Sequence, residues 1–259
     1  MQQDNLEQFT PGEPLLKGKV AIVTGAGRGI GSHIARLFAA EGARVVVHYN
    51  ASREGADEIA GSIGDNAIVA QADLTSEEQS VRLAAEAKAA FGRVDILVNT
   101  AASFAHDITF EQAVWADYAK EFAGVVGATI NPTRAVVPLM KEQGGGRIIN
   151  FVATLVQRPS SEYIVHTTAK SALIGFTRTL ARDLGPFGIT VNMISPGVTL
   201  TEYSKSLPQQ VQKSVASQTP LRRLAEADDV ARVVLFFASP LAGFVTGTNI
   251  APDGGLTPL

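Results

Sequence analysis

Apolar residues recur along this chain of 259 residues in two rhythms that take turns. Short unbroken apolar and β-branched runs read as buried strands: Val20–Val23, then residues 43–49, 67–70, 94–98, 147–152, 189–194 and 248–251. Between them lie stretches with apolar residues three and four apart, which read as helices. Residues 32–40 place Ile34, Leu37 and Phe38 on one face, and further helices are expected over 111–142, 164–184 and 227–237. Thr75 stands ready to cap a helix that opens on Glu77 and Glu78. Pro132 and Pro138 interrupt the pattern over 111–142, and a kink or local unwinding is expected around Gly124, Val125, Gly127 and Pro132. Gly144-Gly145-Gly146 turns the chain into the next strand. Strands alternating with helices predict an α/β fold, a doubly wound parallel sheet with helices on both faces. No repeat, low-complexity tract or linker divides it, so residues 15–259 are read as one domain and residues 1–14 as a flexible extension.

Composition narrows the partners. Hydrophobic residues at 46% and charged residues at 18% describe a globular chain, and a net charge of −3 offers no footprint for nucleic acid or an anionic membrane. With no cysteine, disulfide and thiolate chemistry are excluded, and His33, His48, His106 and His166 show no metal-ligand spacing. The start, polar with Pro11 and Pro14, lacks the basic and apolar segments of a signal peptide, and no run is apolar enough to span a bilayer. The expectation is a cytoplasmic protein acting on a small molecule.

Candidate chemistry begins where the first strand ends. Gly25-Ala26-Gly27-Arg28-Gly29-Ile30-Gly31 is a glycine-rich turn between strand and helix. Glycines there permit unusual backbone angles and leave no side chain between backbone and a phosphate, which the helix start then attracts. The second strand ends in His48-Tyr49-Asn50-Ala51-Ser52-Arg53, with no carboxylate before Glu54. An acidic residue there would bind ribose hydroxyls; Tyr49, Asn50, Ser52 and Arg53 suit a 2′-phosphate instead, favouring NADP(H) over NAD(H).

Taken together, these motifs resemble the short-chain dehydrogenase/reductase family, and most closely its 3-oxoacyl-ACP reductase-like members, over roughly residues 15–259. Thr24 to Gly31 matches the family's TGxxxGxG, and Asp73-Leu74 its adenine-contacting acidic dipeptide. Asn99-Thr100-Ala101-Ala102 is a degraded form of its NNAG. Pro196-Gly197-Val198-Thr199, with Thr201, matches the segment that covers nicotinamide and pyrophosphate. Thr246-Gly247 and Asp253-Gly254-Gly255 match its closing strand and turn. The resemblance implies a Rossmann-type fold, a nicotinamide cofactor held by these residues together with Arg28 and Lys170, and a homo-oligomer, a dimer or tetramer. Ala169, Ala172, Gly175 and Thr179 offer a small-residue helix face for such an assembly.

The catalytic positions depart from that pattern. Family members use a Tyr-x-x-x-Lys pair, a Ser thirteen residues before the Tyr and an Asn on the preceding long helix. Lys170 fits the Lys, but His166 stands at the Tyr, Ala153 at the Ser and Val125 at the Asn. His166 titrates near neutrality and can do acid–base work, although the Lys170 cation beside it should disfavour a charged ring. Tyr163, three residues earlier, is the other candidate acid, and Thr154 carries a hydroxyl next to Ala153. Phe104, His106, Arg158, Glu162 and Tyr203 are further pocket candidates, and His106-Asp107 reads as a solvated loop pair. Two functions stay open. One is an oxidoreductase using NADP(H) on a carbonyl or alcohol through Lys170, with His166 or Tyr163 as acid. The other is a protein of this fold that has left redox chemistry, as an isomerase, cyclase or lyase or as a cofactor-binding regulatory partner.

Overall fold

The computed structural model describes residues 12–205 and 208–257. Most of the extension expected over residues 1–14 therefore lies outside the described residues. Leu16 is already buried, and its N–H donates to Glu41 O at 2.8 Å.

The chain runs β1 (Val20–Val23), α1 (Gly29–Ala40), β2 (Arg44–Tyr49), α2 (Arg53–Ile63), β3 (Ala67–Gln71), α3 (Glu77–Phe91) and β4 (Ile96–Asn99). There follow α4 (Trp115–Phe122), a π turn (Ala123–Gly127), α5 (Ala128–Glu142), β5 (Gly146–Phe151), α6 (Ile164–Leu184) and β6 (Ile189–Ile194). The chain closes with β7 (Thr199–Leu200), α7 (Glu202–Lys205), α8 (Gln209–Gln218), β8 (Ala225–Glu226), α9 (Ala227–Ala238) and β9 (Asn249–Ile250). Seven strands form a parallel sheet in the order β3-β2-β1-β4-β5-β6-β9, and β7 pairs with β8 apart from it. Every residue of β1 is buried, as a strand covered on both faces must be. Alternation divides the core: Ala21 and Val23 pack with Phe38 of α1 and Phe237 of α9, while Ile22 faces Leu83 of α3 and Met140 of α5. Strand order reverses between β1 and β4, and the crevice at their carboxyl ends is where such sheets bind ligands.

The elements depart from the sequence pattern at informative points. α1 starts at Gly29, three residues earlier than expected, because the glycines of the turn themselves build its first turn. Ser76, not Thr75, caps α3: its hydroxyl accepts from Gln79 N–H at 3.3 Å, while Thr75 donates its hydroxyl to Asp73 at 2.7 Å. The long helix begins at Trp115, and Pro132 and Pro138 both lie inside α5 without ending it. The irregularity is the π turn Ala123–Gly127 centred on Val125. Carbonyls there take hydroxyl partners: Thr129 donates to Val125 O at 2.8 Å and Thr133 to Thr129 O at 2.6 Å. The small-residue face also divides, with Ala169 in the core while Gly175 and Thr179 face outward.

Candidate active and cofactor site

The glycine turn lies at the β1 end of the crevice. Gly25 and Gly29 have φ of +65° and +56°, a region that disfavours any side chain. A Cβ on Gly31 would sit 2.5 Å from Gly25 O, and one on Gly25 would sit 3.2 Å from Ala101 Cα. Arg28 takes the N-cap position of α1 without a side-chain cap, and no acidic residue occupies the first turn through Ile30. The N–H groups of that turn are thus left for an anion. α3, by contrast, is capped by Ser76 and opens on Glu77 and Glu78. The start of α2 presses on the same turn, since a Cβ on Gly55 would overlap Gly27 O. These features fit the pyrophosphate of a dinucleotide.

Around the turn, most of the residues read from sequence converge. Tyr49 ends β2, Asn50 and the α2 N-cap Ser52 follow it, and Arg53 opens α2 with its guanidinium 3.1 Å from Asp57. Asp73 and Leu74 follow β3, and Oδ1 of Asp73 accepts from the Thr75 N–H and hydroxyl. Pro196, Gly197 and Val198 follow β6, and Thr199 starts β7. Thr201 lies over the turn, its Cγ2 3.7 Å from where a Cβ on Gly29 would be. Asn99 differs: its side chain is buried beneath the site, with Nδ2 donating to Asn150 Oδ1 at 2.8 Å and Thr133 Oγ1 at 3.2 Å. Only its backbone neighbours, Thr100 and Ala101, edge the crevice, held by their N–H groups on Thr24 Oγ1 at 3.0 Å each.

The catalytic candidates meet on α6. His166 and Lys170, one turn apart, are both buried, and Lys170 Nζ donates to Phe151 O at 2.7 Å. Burial pulls the Lys170 ammonium down to about 8, against the opposing pull of the Glu121 charge. Tyr163 is not on the helical face. It occupies the N-cap position, bridged to Ile108 through the backbone, with its ring 5.8 Å from Phe104. Phe104 stands edge-on to His166 at 4.7 Å and tilted to His106 at 5.3 Å, so an aromatic wall borders the imidazole. Thr154 does not replace the missing serine, because its hydroxyl donates to Pro196 O at 3.2 Å. His106 and Asp107 are 2.6 Å apart in a partly exposed loop pair. Arg158 reaches Gln218 at 2.6 Å and Glu162 is exposed; the Tyr203 side chain lies outside the described residues.

Sequence reasoning missed the partner of His166. Glu121, on α4 one turn before Val125, is 3% exposed, and the ring Nδ1 lies 2.5 Å from its Oε1. Ser103 donates to Oε2 at 2.7 Å and the Ala105 N–H to Oε1 at 3.2 Å. Burial alone would raise the Glu121 carboxyl; the donors from His166, Ser103 and Ala105 outweigh it and hold the group below the ordinary carboxylate value. An ionised carboxylate only accepts, so Nδ1 carries the proton and Nε2 is the nitrogen without a partner among the described residues. Glu121 thus sets a negative charge against the ring, beside the Lys170 cation that the sequence had already placed one turn away. His48 was missed as well. Burial lowers its ring below the usual histidine value, with Nδ1 accepting from the Gly25 N–H at 3.1 Å and Nε2 on Ala72 O at 2.9 Å. A polar residue in the buried run Val45-Val46-Val47-His48 was the available signal; Glu121 and His166, 45 residues apart, gave none. Among the described residues no group of three or more His, Asp or Glu could hold a metal, and no helix is long and apolar enough to cross a membrane.

Residues 25–257 match a family model described as enoyl-(acyl carrier protein) reductase. An uncharacterized oxidoreductase of Mycobacterium tuberculosis is 38% identical over 248 residues, 93% of each chain. The 3-oxoacyl-[acyl-carrier-protein] reductase of Haemophilus influenzae is 32% identical over 245 residues, 93% of this chain and 99% of that one. A solved double mutant of a Serratia marcescens short-chain dehydrogenase/reductase superposes with a TM-score of 0.87 at 32% identity, covering 93% of this chain and 99% of the other.

Proposed function

The chain belongs to the short-chain dehydrogenase/reductase family, and from that premise we propose that it is an NADP(H)-dependent oxidoreductase acting on a carbonyl or alcohol, with His166 as its proton-transfer group. One observation carries this reading: His166 and Lys170 lie buried one helical turn apart, with the imidazole Nε2 unpaired among the described residues beside an aromatic wall. The bound nicotinamide supplies or accepts the hydride. Lys170 would hold the ribose hydroxyls of that cofactor and add positive charge at the site. His166 Nε2 gives a proton to the substrate oxygen during reduction and removes one from the hydroxyl during oxidation. Phe104 and Tyr163, with rings 5.8 Å apart, shape the wall against which a small organic substrate lies.

The NADP(H) preference is supported by the absence of a carboxylate between the end of β2 and Glu54, and by Arg28, exposed and without an ion-pair partner among the described residues. Arg53 can add to this by leaving Asp57. Membership of this family further supports the proposal of a homo-oligomer, and a cytoplasmic location is proposed with it.

Titration with NADPH and NADH by nicotinamide fluorescence, followed by a carbonyl panel, tests the proposal. NADPH binds more tightly than NADH, and His166→Ala lowers kcat by about 10²-fold or more while the NADPH Kd stays within about threefold. Turnover unaffected by His166→Ala overturns it. The second reading, departure from redox chemistry, is favoured by Ala153 and by the commitment of the Thr154 hydroxyl to Pro196, which leave the substrate oxygen without the family serine's donor. Tight nucleotide binding with no turnover on any carbonyl decides for it.

A further inference from the structure

Glu121 is enclosed in a way that its place on a surface helix does not require. Both of its oxygens are bonded, by His166, Ser103 and the Ala105 N–H. Gly124 makes room for this: a Cβ there would overlap the Ser103 side chain, and Ser103 N–H donates to Gly124 O at 3.2 Å. The π turn that contains Gly124 thus docks the loop after β4 against α4, so that Ser103 and Ala105 close over the carboxylate. A buried ion pair gains little stability over apolar residues of the same volume, so stability alone does not explain the arrangement.

We infer that Glu121 is the positioning residue of the proton-transfer group: it holds the His166 ring in one orientation and one tautomer, Nδ1 protonated and Nε2 presented to the substrate oxygen. The inference rests on the reading of His166 as that group. In the reducing direction the doubly protonated ring gives its Nε2 proton to the carbonyl oxygen while the carbonyl carbon takes the hydride from the reduced nicotinamide. The ring is left neutral with its remaining proton on Nδ1, against Glu121. In the oxidising direction Nε2 takes the hydroxyl proton, the oxidised nicotinamide takes the hydride, and the carboxylate balances the charge that arrives on the ring. Such an acid–orienter pair resembles the buried carboxylate that fixes a catalytic histidine in hydrolases, transferred here to a site without a phenol.

The test uses the full chain, labelled with ¹⁵N at histidine, and the variants Glu121→Ala, Ser103→Ala and His166→Ala. NMR of the unaltered protein gives His166 as the Nδ1–H tautomer, and Glu121→Ala replaces it with the other tautomer or a mixture. Glu121→Ala lowers kcat by about 10²-fold with the NADPH Kd within about threefold, Ser103→Ala lowers it a few-fold, and Glu121→Ala with His166→Ala is no slower than His166→Ala alone. A His166 spectrum indifferent to Glu121→Ala overturns the inference, and so does additive loss in the double variant. Should Glu121→Ala fail to fold, Ser103→Ala decides: unchanged spectrum and unchanged kcat refute the positioning role. If His166→Ala retains full turnover, the reading of His166 itself fails, and the tautomer measurement still judges what Glu121 does to the ring.

Discussion

Lys170 shows a residue whose burial works against the fold and for the site. Its ammonium is buried, with one backbone carbonyl as hydrogen-bond partner and Glu121 as the opposing charge, and its value falls from 10.5 to about 8. A base lowered on folding takes up more protons when unfolded, so its contribution to stability is fully present above 10.5 and lost as pH falls through about 8. Lys170→Met is therefore expected to raise stability at pH 7 by about 1–3 kcal/mol, with the gain shrinking above pH 9, while the NADPH Kd rises about tenfold or more. Denaturant melts at pH 7 and pH 10, with nucleotide titration beside them, check this; equal stabilisation at both pH values would contradict it. At this scale the sequence told its glycines and Lys170 clearly, because each carries its constraint in its own identity or local spacing. It was silent on Glu121, whose role exists only once α4 and α6 are packed together. Asn99 stood in a recognisable motif, yet motif membership did not reveal that its amide turns inward to Asn150 and Thr133.

Among the elements, periodicity located α6 at Ile164–Leu184 and β6 at Ile189–Ile194, where long clean patterns meet glycine and proline boundaries. The unwinding expected around Gly124, Val125 and Gly127 is present as the π turn, whereas Pro132, expected to share in it, lies inside regular helix. Proline is the usual suspect because it lacks an N–H, yet α5 runs through Pro132 while the π turn precedes it. The hydroxyls of Thr129 and Thr133, both buried, each donate to the carbonyl four residues earlier, and their role is invisible to a hydrophobicity pattern. Thr129→Val keeps the shape and deletes one donor to the Val125 carbonyl. Stability should fall by about 1–3 kcal/mol, and because the same turn seats Ser103 against Glu121, kcat should fall with it. Thermal melts and steady-state kinetics on one preparation test both; an unchanged Tm would remove the hydroxyl from the account. The cap of α3 teaches the same lesson at smaller scale. Thr75 and Ser76 are both competent caps, and Asp73 captures the first, leaving the second for Gln79.

For the molecule as a whole, alternating strands and helices specified a parallel sheet, and the motif at β1 with its counterpart after β6 brackets the crevice where strand order reverses. What the pattern could not assign is the outer surface. Trp115 and Phe110 are 81% and 75% exposed beside α4, and Phe244 stands fully exposed before β9, large apolar areas for a lone chain to present to water. Light scattering on the purified protein should give a mass that is a multiple of one chain, and Trp115→Lys should lower it if the α4 region is the seam; a monomer at micromolar concentration would exclude the homo-oligomer. The Glu121–His166 pair also limits which single changes the chain can absorb. Its halves stand on different helices, so a phenol at 166 would leave a buried carboxylate without its nitrogen donor, and an apolar residue at 121 would leave the imidazole without its orienting acceptor. Positions 121 and 166, 45 residues apart in the sequence, are thus expected to tolerate change together better than singly.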